Sequence, residues 1–482
     1  MEVTTPDPEC PGCQALQAEV RTLRELVAAQ QGQLEPLQEQ VRELSARLNR
    51  HSGNSSQPPS ADLPSAPPRA ALPRTGRRPG GQKGHPGHRR RLPEPDQVVP
   101  CTPPQCRGCG AAFAPTTTGG AFRRHVVVEL PPIQPEITEY QLHARTCAAC
   151  GTRTWGDLPS GVPTHGFGPR LQALATTLTG TYRLSRRDTV QWLADCLGVP
   201  MSVGALSRLE ARTTLALAAA YQEAATATAQ AAAVNVDETS WKERGKRPWL
   251  WLAATPLVAY FRIADGRTRA AFEELLPPER GPDRPPRRVM SDRFSSYGHL
   301  EPWQRGLCWA HLRRDFQGCL DLGGKGAWVA RWALAEITKL FTHWHAFRAR
   351  TETRATLQEK MAPVQQAFQT LLQAGSECAC RKTAALCTNL LAGWEGLWTF
   401  VREPGVEPTN NHAERCLRRA VLWRKNSFGT QSEGGRRFVE RLLTVTVSLR
   451  LQGRSVVEFV RQACQATLLG STPPSLLPAS TL

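Results

Sequence analysis

At residue 231 the hydrophobic period of this chain changes from helical to strand-like, and three acidic residues fall at particular points of the pattern that follows. AAAVNVDETSW, RPWLWLAAT and LVAYFRIADG are short apolar runs rich in Val, Ile, Trp and Phe, which predicts a meander of three strands with Asp237 at the end of the first. TRAAFEELL (268–276) has helical spacing, and a proline-rich loop follows it. RVMSD predicts a fourth strand ending at Asp292, and GLCWAHL a fifth. A long, mostly helical stretch reaches to about 400, and EPTNNHAERCLRR (407–419) starts a helix carrying Glu414. That order of elements matches an RNase H-like core and gathers the carboxylates around one end of the sheet. A single Asp is most often a cap or a turn residue. Three acids at the expected points of one topology suggest magnesium ligands instead: Asp237, Asp292 and Glu414 around two Mg²⁺ (or Mn²⁺) about 3.5–4 Å apart. One ion would activate a water or 3′-hydroxyl and the other would stabilise the leaving oxygen, so no nucleophilic Ser or Tyr is needed.

Charge points to the partner. The 482 residues carry a formal net charge of +18, and the excess is clustered. Eight basic and no acidic side chains lie between Arg69 and Arg91, and twelve basic against six acidic between Arg402 and Arg461. Double-stranded DNA is the polyanion such clusters suit. No apolar run approaches the roughly 18 residues of a membrane span. MEVTTPDPEC has neither the basic n-region nor the apolar h-region of a secretory signal, so a cytoplasmic location is expected. The fifteen cysteines then do not read as a disulfide framework, and the paired ones read as metal ligands.

Four modules precede the catalytic pattern. Residues 14–49 hold an uninterrupted heptad, with Leu16, Leu23, Leu37 and Leu44 at one core position and Val20, Val27, Leu34, Val41 and Leu48 at the other. It predicts a parallel coiled-coil homodimer, kinked locally at Pro36. Residues 50–100, with eleven prolines and the cationic tract GRRPGGQKGHPGHRRR (76–91), form a linker with nothing to bury, suited to phosphate contact. Within 101–155, the knuckles CRGCG and CAACG flank a strand-like HVVVEL (125–130) and offer Cys106, Cys109, Cys147 and Cys150 to one structural Zn²⁺ in a zinc-ribbon pattern. Cys101 is a spare thiol, and Cys10 with Cys13 completes a four-ligand site only across a dimer. In the helical region 165–228, SRRDTVQWLADCLG ends at Gly198 and a second helix starts at about Ser202, the pattern of a helix-turn-helix.

VNVDETSW with KRPWLWLAAT, VMSDRFSSY, CWAHLRRDF and EPTNNHAERCLRRAVLWRKNSFG closely resemble the transposases of the insertion sequence 66 family. The upstream PGGQKGHPGH tract, the two knuckles and the coiled coil stand in the same order as in that family. The resemblance implies a DDE transposase: an RNase H-like catalytic domain (229–318 and 402–465) interrupted by a helical insertion (319–401), with the triad Asp237, Asp292 and Glu414. It also implies cleavage and strand transfer at insertion-sequence ends, helped by separately encoded accessory proteins. Where some other transposases carry Arg and Lys around the Glu, this chain has Asn410 and Val421. Arg415, Arg418, Arg419, Arg424 and Lys425 then take the phosphate contacts, with Asn411 and His311 as further DNA-binding candidates.

Other readings stay open. Asn410 and Asn411 either cap the Glu414 helix or bond to DNA. Cys308 with His311 forms a CxxH pair for which a metal role is conceivable, but two ligands alone do not make a zinc site, which favours a structural or DNA-contacting role. Trp241, Trp249, Trp251 and Trp309 fit strand cores, and Trp328, Trp332, Trp344, Trp394 and Trp398 fit the core of the insertion. A DNA-binding relic without catalysis, or a nuclease without strand transfer, would share much of this sequence.

Overall fold

The computed structural model describes residues 11–55, 62, 94–114, 123–278 and 286–478. The cationic tract at 76–91, Cys10 and the side chain of Cys13 lie outside the described residues. Helix α1 (Pro11–Leu48) carries the heptad and continues through Pro36. Most of its core positions face outward, with Leu16 64% exposed and Leu44 57%, while its C-terminal part, including Val41, lies against the helix Trp309–Leu322.

Strands β1 (Ala144–Thr146) and β2 (Arg153–Trp155) pair antiparallel around the second knuckle. HVVVEL, expected as a strand, is irregular and mostly exposed, because a lone extended segment has no neighbour to take its backbone hydrogen bonds. Four helices follow: α2 (Pro169–Gly180), α3 (Arg186–Leu197), α4 (Val203–Ala216) and α5 (Ala218–Gln230). α3 is capped by Ser185, whose side chain accepts from Asp188 N, and ends at Gly198 with φ 64°. Ser202 caps α4 in the same way, accepting from Ala205 N. Arg186 and Glu210 join the two helices at 2.6 Å.

A mixed five-stranded sheet forms the centre. β3 (Ala233–Ser240), β4 (Trp249–Ala254) and β5 (Ala259–Ala264) make the antiparallel meander. After α6 (Arg269–Leu275), β6 (Arg288–Ser291) joins β3 in parallel, and β7 (Arg305–Leu307) joins β6 in parallel, giving the order β5-β4-β3-β6-β7. Next come α7 (Trp309–Leu322), α8 (Ala327–Arg348), α9 (Arg354–Ser376), α10 (Arg381–Ala392) and the short α11 (Trp394–Leu397) and α12 (Thr399–Arg402). They surround a second core centred on Trp309, Phe316, Phe368 and Trp398. Helices α13 (Asn411–Ser427), α14 (Glu433–Leu451) and α15 (Val456–Leu469) return the chain to the sheet.

Two tryptophan expectations need correction. Trp309 opens α7 rather than a strand, and its indole N–H donates to Leu397 O at 2.8 Å. Trp328 and Trp332 sit on the outer side of α8, 44% and 61% exposed, because Val329, Ala330 and Ala333 take its inner face.

The free edge of β5 is closed by α14. The amides of Ala259, Phe261 and Ile263 donate to Ser448 Oγ, Thr444 Oγ1 and Glu440 Oε1 at 3.0, 3.1 and 2.7 Å. The periods match: four helical residues rise about 6 Å and two strand residues about 6.6 Å. An edge that would otherwise recruit another strand is satisfied internally. α2 and α4 pack against α15, and the buried hydroxyls of Thr181, at the end of α2, and Thr446, on α14, are bonded at 2.9 Å, so the helical region is seated on the sheet domain. No helix of the described residues is long and apolar enough to cross a membrane.

Candidate active site

Parallel pairing sets two of the acids side by side. Asn235 on β3 is in register with Met290 on β6, so Asp237 and Asp292 each lie two residues further along neighbouring strands. Asp237 is not at the end of its strand as the sequence suggested, since β3 keeps pairing with β4 as far as Ser240↔Trp249. Asp292 directly follows β6, and Glu414 is in the first turn of α13.

Asn410 holds α13 in place. Its buried side-chain amide donates to Val236 O at 2.7 Å, and its Oδ1 accepts from Asn235 Nδ2 at 2.9 Å. Its backbone N–H donates to Cys308 Sγ at 3.2 Å, while its carbonyl accepts from Glu414 N at 3.2 Å. The side chain makes no helix cap and does not face the cleft; it fastens the Glu414 helix to the Asp237 strand.

The three carboxylates line one cleft of about 730 Å³. Burial pushes the Asp237 carboxyl well above the usual carboxylate range, and the neighbouring Glu238, Asp292 and Glu414 add to the effect. A cluster of hard oxygen donors that repel one another is chemically suited to a divalent cation of the Mg²⁺ or Mn²⁺ type. Arg415, Arg418, Arg424, Asn411 and His311 line the same cleft, whereas Arg419 and Lys425 do not. Arg424 is already engaged, donating to Thr239 Oγ1 at 3.0 Å and to Ser240.

Sequence reasoning passed over Glu238, Arg267 and Arg314 of the site. Glu238 shares the inner face of β3 with Val234 and Val236, and an acid at an inward position of an alternating strand is the signal that could have found it. Its buried carboxylate accepts from Arg267 Nε at 2.6 Å and from the Tyr297 hydroxyl. Arg267 is held between aromatic faces, 3.3 Å from the Phe294 ring centre and 4.8 Å from that of Trp249, and reaches within 3.9 Å of Asp292 Oδ2.

His311 and Arg314, on α7, stand 3.9 and 3.8 Å from Glu414 Oε1. Burial, reinforced by Arg314, lowers the His311 pKa and favours a neutral imidazole, against the pull of Glu414.

The two cysteine knuckles fold alike. Gly110 N donates to Cys106 O and Gly151 N to Cys147 O, both at 2.9 Å, and both glycines have positive φ, 75° and 70°. The Cys106 thiol is shifted down by the amides of Gly108 and Cys109, and that of Cys150 by the Thr152 hydroxyl. The four sulfurs are not gathered into one cluster. Among the described residues, the group of three or more close metal-ligand side chains is Cys308, His311 and Glu414.

The sequence model described as Transposase IS66 family matches residues 167–437, more than half of the chain. The chain belongs to the IS66 transposase family. The span shared with this transposase family holds all three acids, the five-stranded sheet and the helical insertion. A second model, for a family of unknown function, matches residues 4–91. Two uncharacterized proteins of Sinorhizobium fredii are similar: y4qI is 28% identical over 45% of this chain, and y4jD 26% identical over 47%. The matches span 43% and 45% of those proteins' own lengths.

Proposed function

We propose that this member of the transposase family binds insertion-sequence ends and catalyses Mg²⁺-dependent DNA cleavage and strand transfer, with Asp237, Asp292 and Glu414 as the metal-holding carboxylates. The observation that carries the reading is the meeting of these acids, two from adjacent parallel strands and one from a helix pinned to the first strand, in one cleft. The strand order supports an RNase H-like domain. Cations held there would supply an activated oxygen nucleophile and neutralise charge on the leaving oxygen. Arg415 and Arg418, exposed on the cleft side of α13, suit the flanking phosphates. Arg208 and Arg212, exposed four residues apart on α4, support a helix-turn-helix reading. The test is incubation with duplex DNA carrying the element's ends, with Mg²⁺ or with chelator. Metal-dependent nicking and joined product are expected. Nicks without joined product would indicate a nuclease, and binding without nicks a regulatory DNA-binding protein.

In this reading the outward apolar stripe of α1 is covered by the same stripe of a second copy, bringing two DNA ends together. Burying each Leu contributes about 1.5–3 kcal/mol. Leu23→Asp should therefore convert a dimer to a monomer in light scattering at micromolar concentration. A wild-type monomer, or a variant that stays dimeric, would refute the arrangement. The two knuckles, each with a tight turn and a thiol of lowered pKa, suit one Zn²⁺ that draws them together. About one zinc per chain should depend on them and be lost in Cys147→Ser. Equal zinc content in wild type and variant would rule this out.

A further inference from the structure

One group of side chains is not explained by the carboxylate centre. Cys308 Sγ, a ring nitrogen of His311 and a carboxylate oxygen of Glu414 all lie within 4.8 Å of one another. Cys308 precedes α7, His311 is in its first turn, and Glu414 is in the first turn of α13. The Asn410 N–H on Cys308 Sγ locks the two helix starts together.

Two details point to a missing ligand. His311 Nδ1 is buried without a hydrogen-bond partner, facing Glu414 Oε1 at 3.9 Å, too far for a direct bond. A tetrahedral zinc ion, with bonds of about 2.0–2.2 Å to nitrogen and oxygen, holds those two atoms roughly 3.4 Å apart. Closing the pair by about half an ångström would complete the bonds. Cys308 Sγ already accepts an amide N–H, as a thiolate in a metal site does.

We propose that Cys308, His311 and Glu414 form a second metal site, for a divalent cation of the zinc type, whose occupancy takes Glu414 away from Asp237 and Asp292. The second half of the proposal rests on Glu414 serving the carboxylate centre. The donor set decides the metal class. Thiolate and imidazole prefer Zn²⁺ or Co²⁺, whereas Mg²⁺ takes oxygen ligands only. A thiolate, a carboxylate and a neutral imidazole balance the charge of a dication, so the three ligands and the ion together carry no net charge. Binding sends the Cys308 proton to solvent, and the fourth position is left for water from the cleft. Zinc and magnesium would compete for one carboxylate, so zinc would act as an inhibitor.

Zinc content of the full chain tests the site after loading, desalting and elemental analysis. Wild type should hold about one zinc more than Cys308→Ser or His311→Asn, while Cys147→Ser loses a different, knuckle-bound ion and the Cys147/Cys308 double variant loses both. Cobalt loading should show weaker sulfur-to-cobalt charge transfer in Cys308→Ser than in wild type. Equal zinc in wild type, Cys308→Ser and His311→Asn, all with native circular dichroism, overturns the proposal. His311→Asn, at a half-buried position, guards against misfolding of the buried cysteine variant. In the cleavage assay, zinc at micromolar concentration should suppress the Mg²⁺-dependent rate of wild type, and each variant, compared with its own zinc-free rate, should resist. Bound zinc with unaltered inhibition across the variants would overturn the competition. Metal content reads out whether or not the chain cleaves DNA, so failure of the transposase reading and failure of this site are distinguishable.

Discussion

Asp292→Asn is expected to abolish Mg²⁺-dependent cleavage of element-end DNA, by about a thousandfold or more, while DNA binding in gel shift stays near wild type. Asparagine keeps the shape of the side chain and removes its charge, so it can bond but not bridge cations. Several kcal/mol of charge stabilisation go with it, and each 1.4 kcal/mol is about tenfold in rate. The same substitution should act oppositely on stability. Asp237 binds its proton more tightly in the folded protein than in the unfolded chain, through burial first and then the charges of Glu238, Asp292 and Glu414. Such a group contributes stability that is full below the unfolded carboxylate pKa of about 3.9 and is lost as pH rises through the folded value. At neutral pH the metal-free cleft therefore opposes folding, and removing one of the repelling charges relieves it. Metal-free Asp292→Asn should melt a few degrees above metal-free wild type at pH 8, with a smaller gap at pH 5. Added Mg²⁺ should raise the wild-type melting temperature more than that of the variant. Undiminished cleavage by Asp292→Asn would sink the assignment.

The features that the sequence made legible are those with a period or a short motif. Strand β3 announces itself by alternation, β4 to β6 by short apolar runs, and the helix boundaries at Ser185, Gly198 and Ser202 by cap chemistry. Asp237 and Asp292 could be seen to converge because strand order alone brings their positions together, whereas Glu414 was placed by its motif and is seated by Asn410. What stayed hidden was contact between residues far apart in the chain. Arg267 lies in the turn before α6, and nothing in its neighbourhood reveals that it pairs with Glu238 twenty-nine residues earlier. Asn410 offers two plausible local roles, and its actual one depends on Val236, 174 residues away. Trp309 was misplaced because CWAHL is too short an apolar run to separate strand from helix. The exposure of Trp328 and Trp332 depends on which face of α8 its neighbours cover, which composition does not encode.

Arg267 bears the largest expected effect on folding. The Glu238 side chain is 1% exposed, and its charge is met by Arg267, itself 28% exposed, and by the Tyr297 hydroxyl. Burial raises the Glu238 pKa first, and Asp292 raises it further, while Arg267 is the main opposing influence. Arg267→Met keeps most of the volume between Phe294 and Trp249 but strands a carboxylate in the protein interior beside two more. Breaking a buried pair on one side typically costs about 3–5 kcal/mol. A loss of that order is expected in urea unfolding of the metal-free protein at pH 8. The loss should shrink toward low pH, because protonation of Glu238 removes the stranded charge. Adding Glu238→Gln should then restore most of the stability, since neither charge remains, whereas Glu238→Gln alone leaves a guanidinium that can still reach water. The coupling between the two substitutions is the decisive quantity. Arg267→Met within about 0.5 kcal/mol of wild type, the range of an ordinary surface change, would mean that Glu238 finds its compensation elsewhere. A large coupling would instead make Arg267 and Glu238 one unit, with Asp292 3.9 Å from its guanidinium. The cleft would then owe its shape to a pair that holds Asp237 and Asp292 in place.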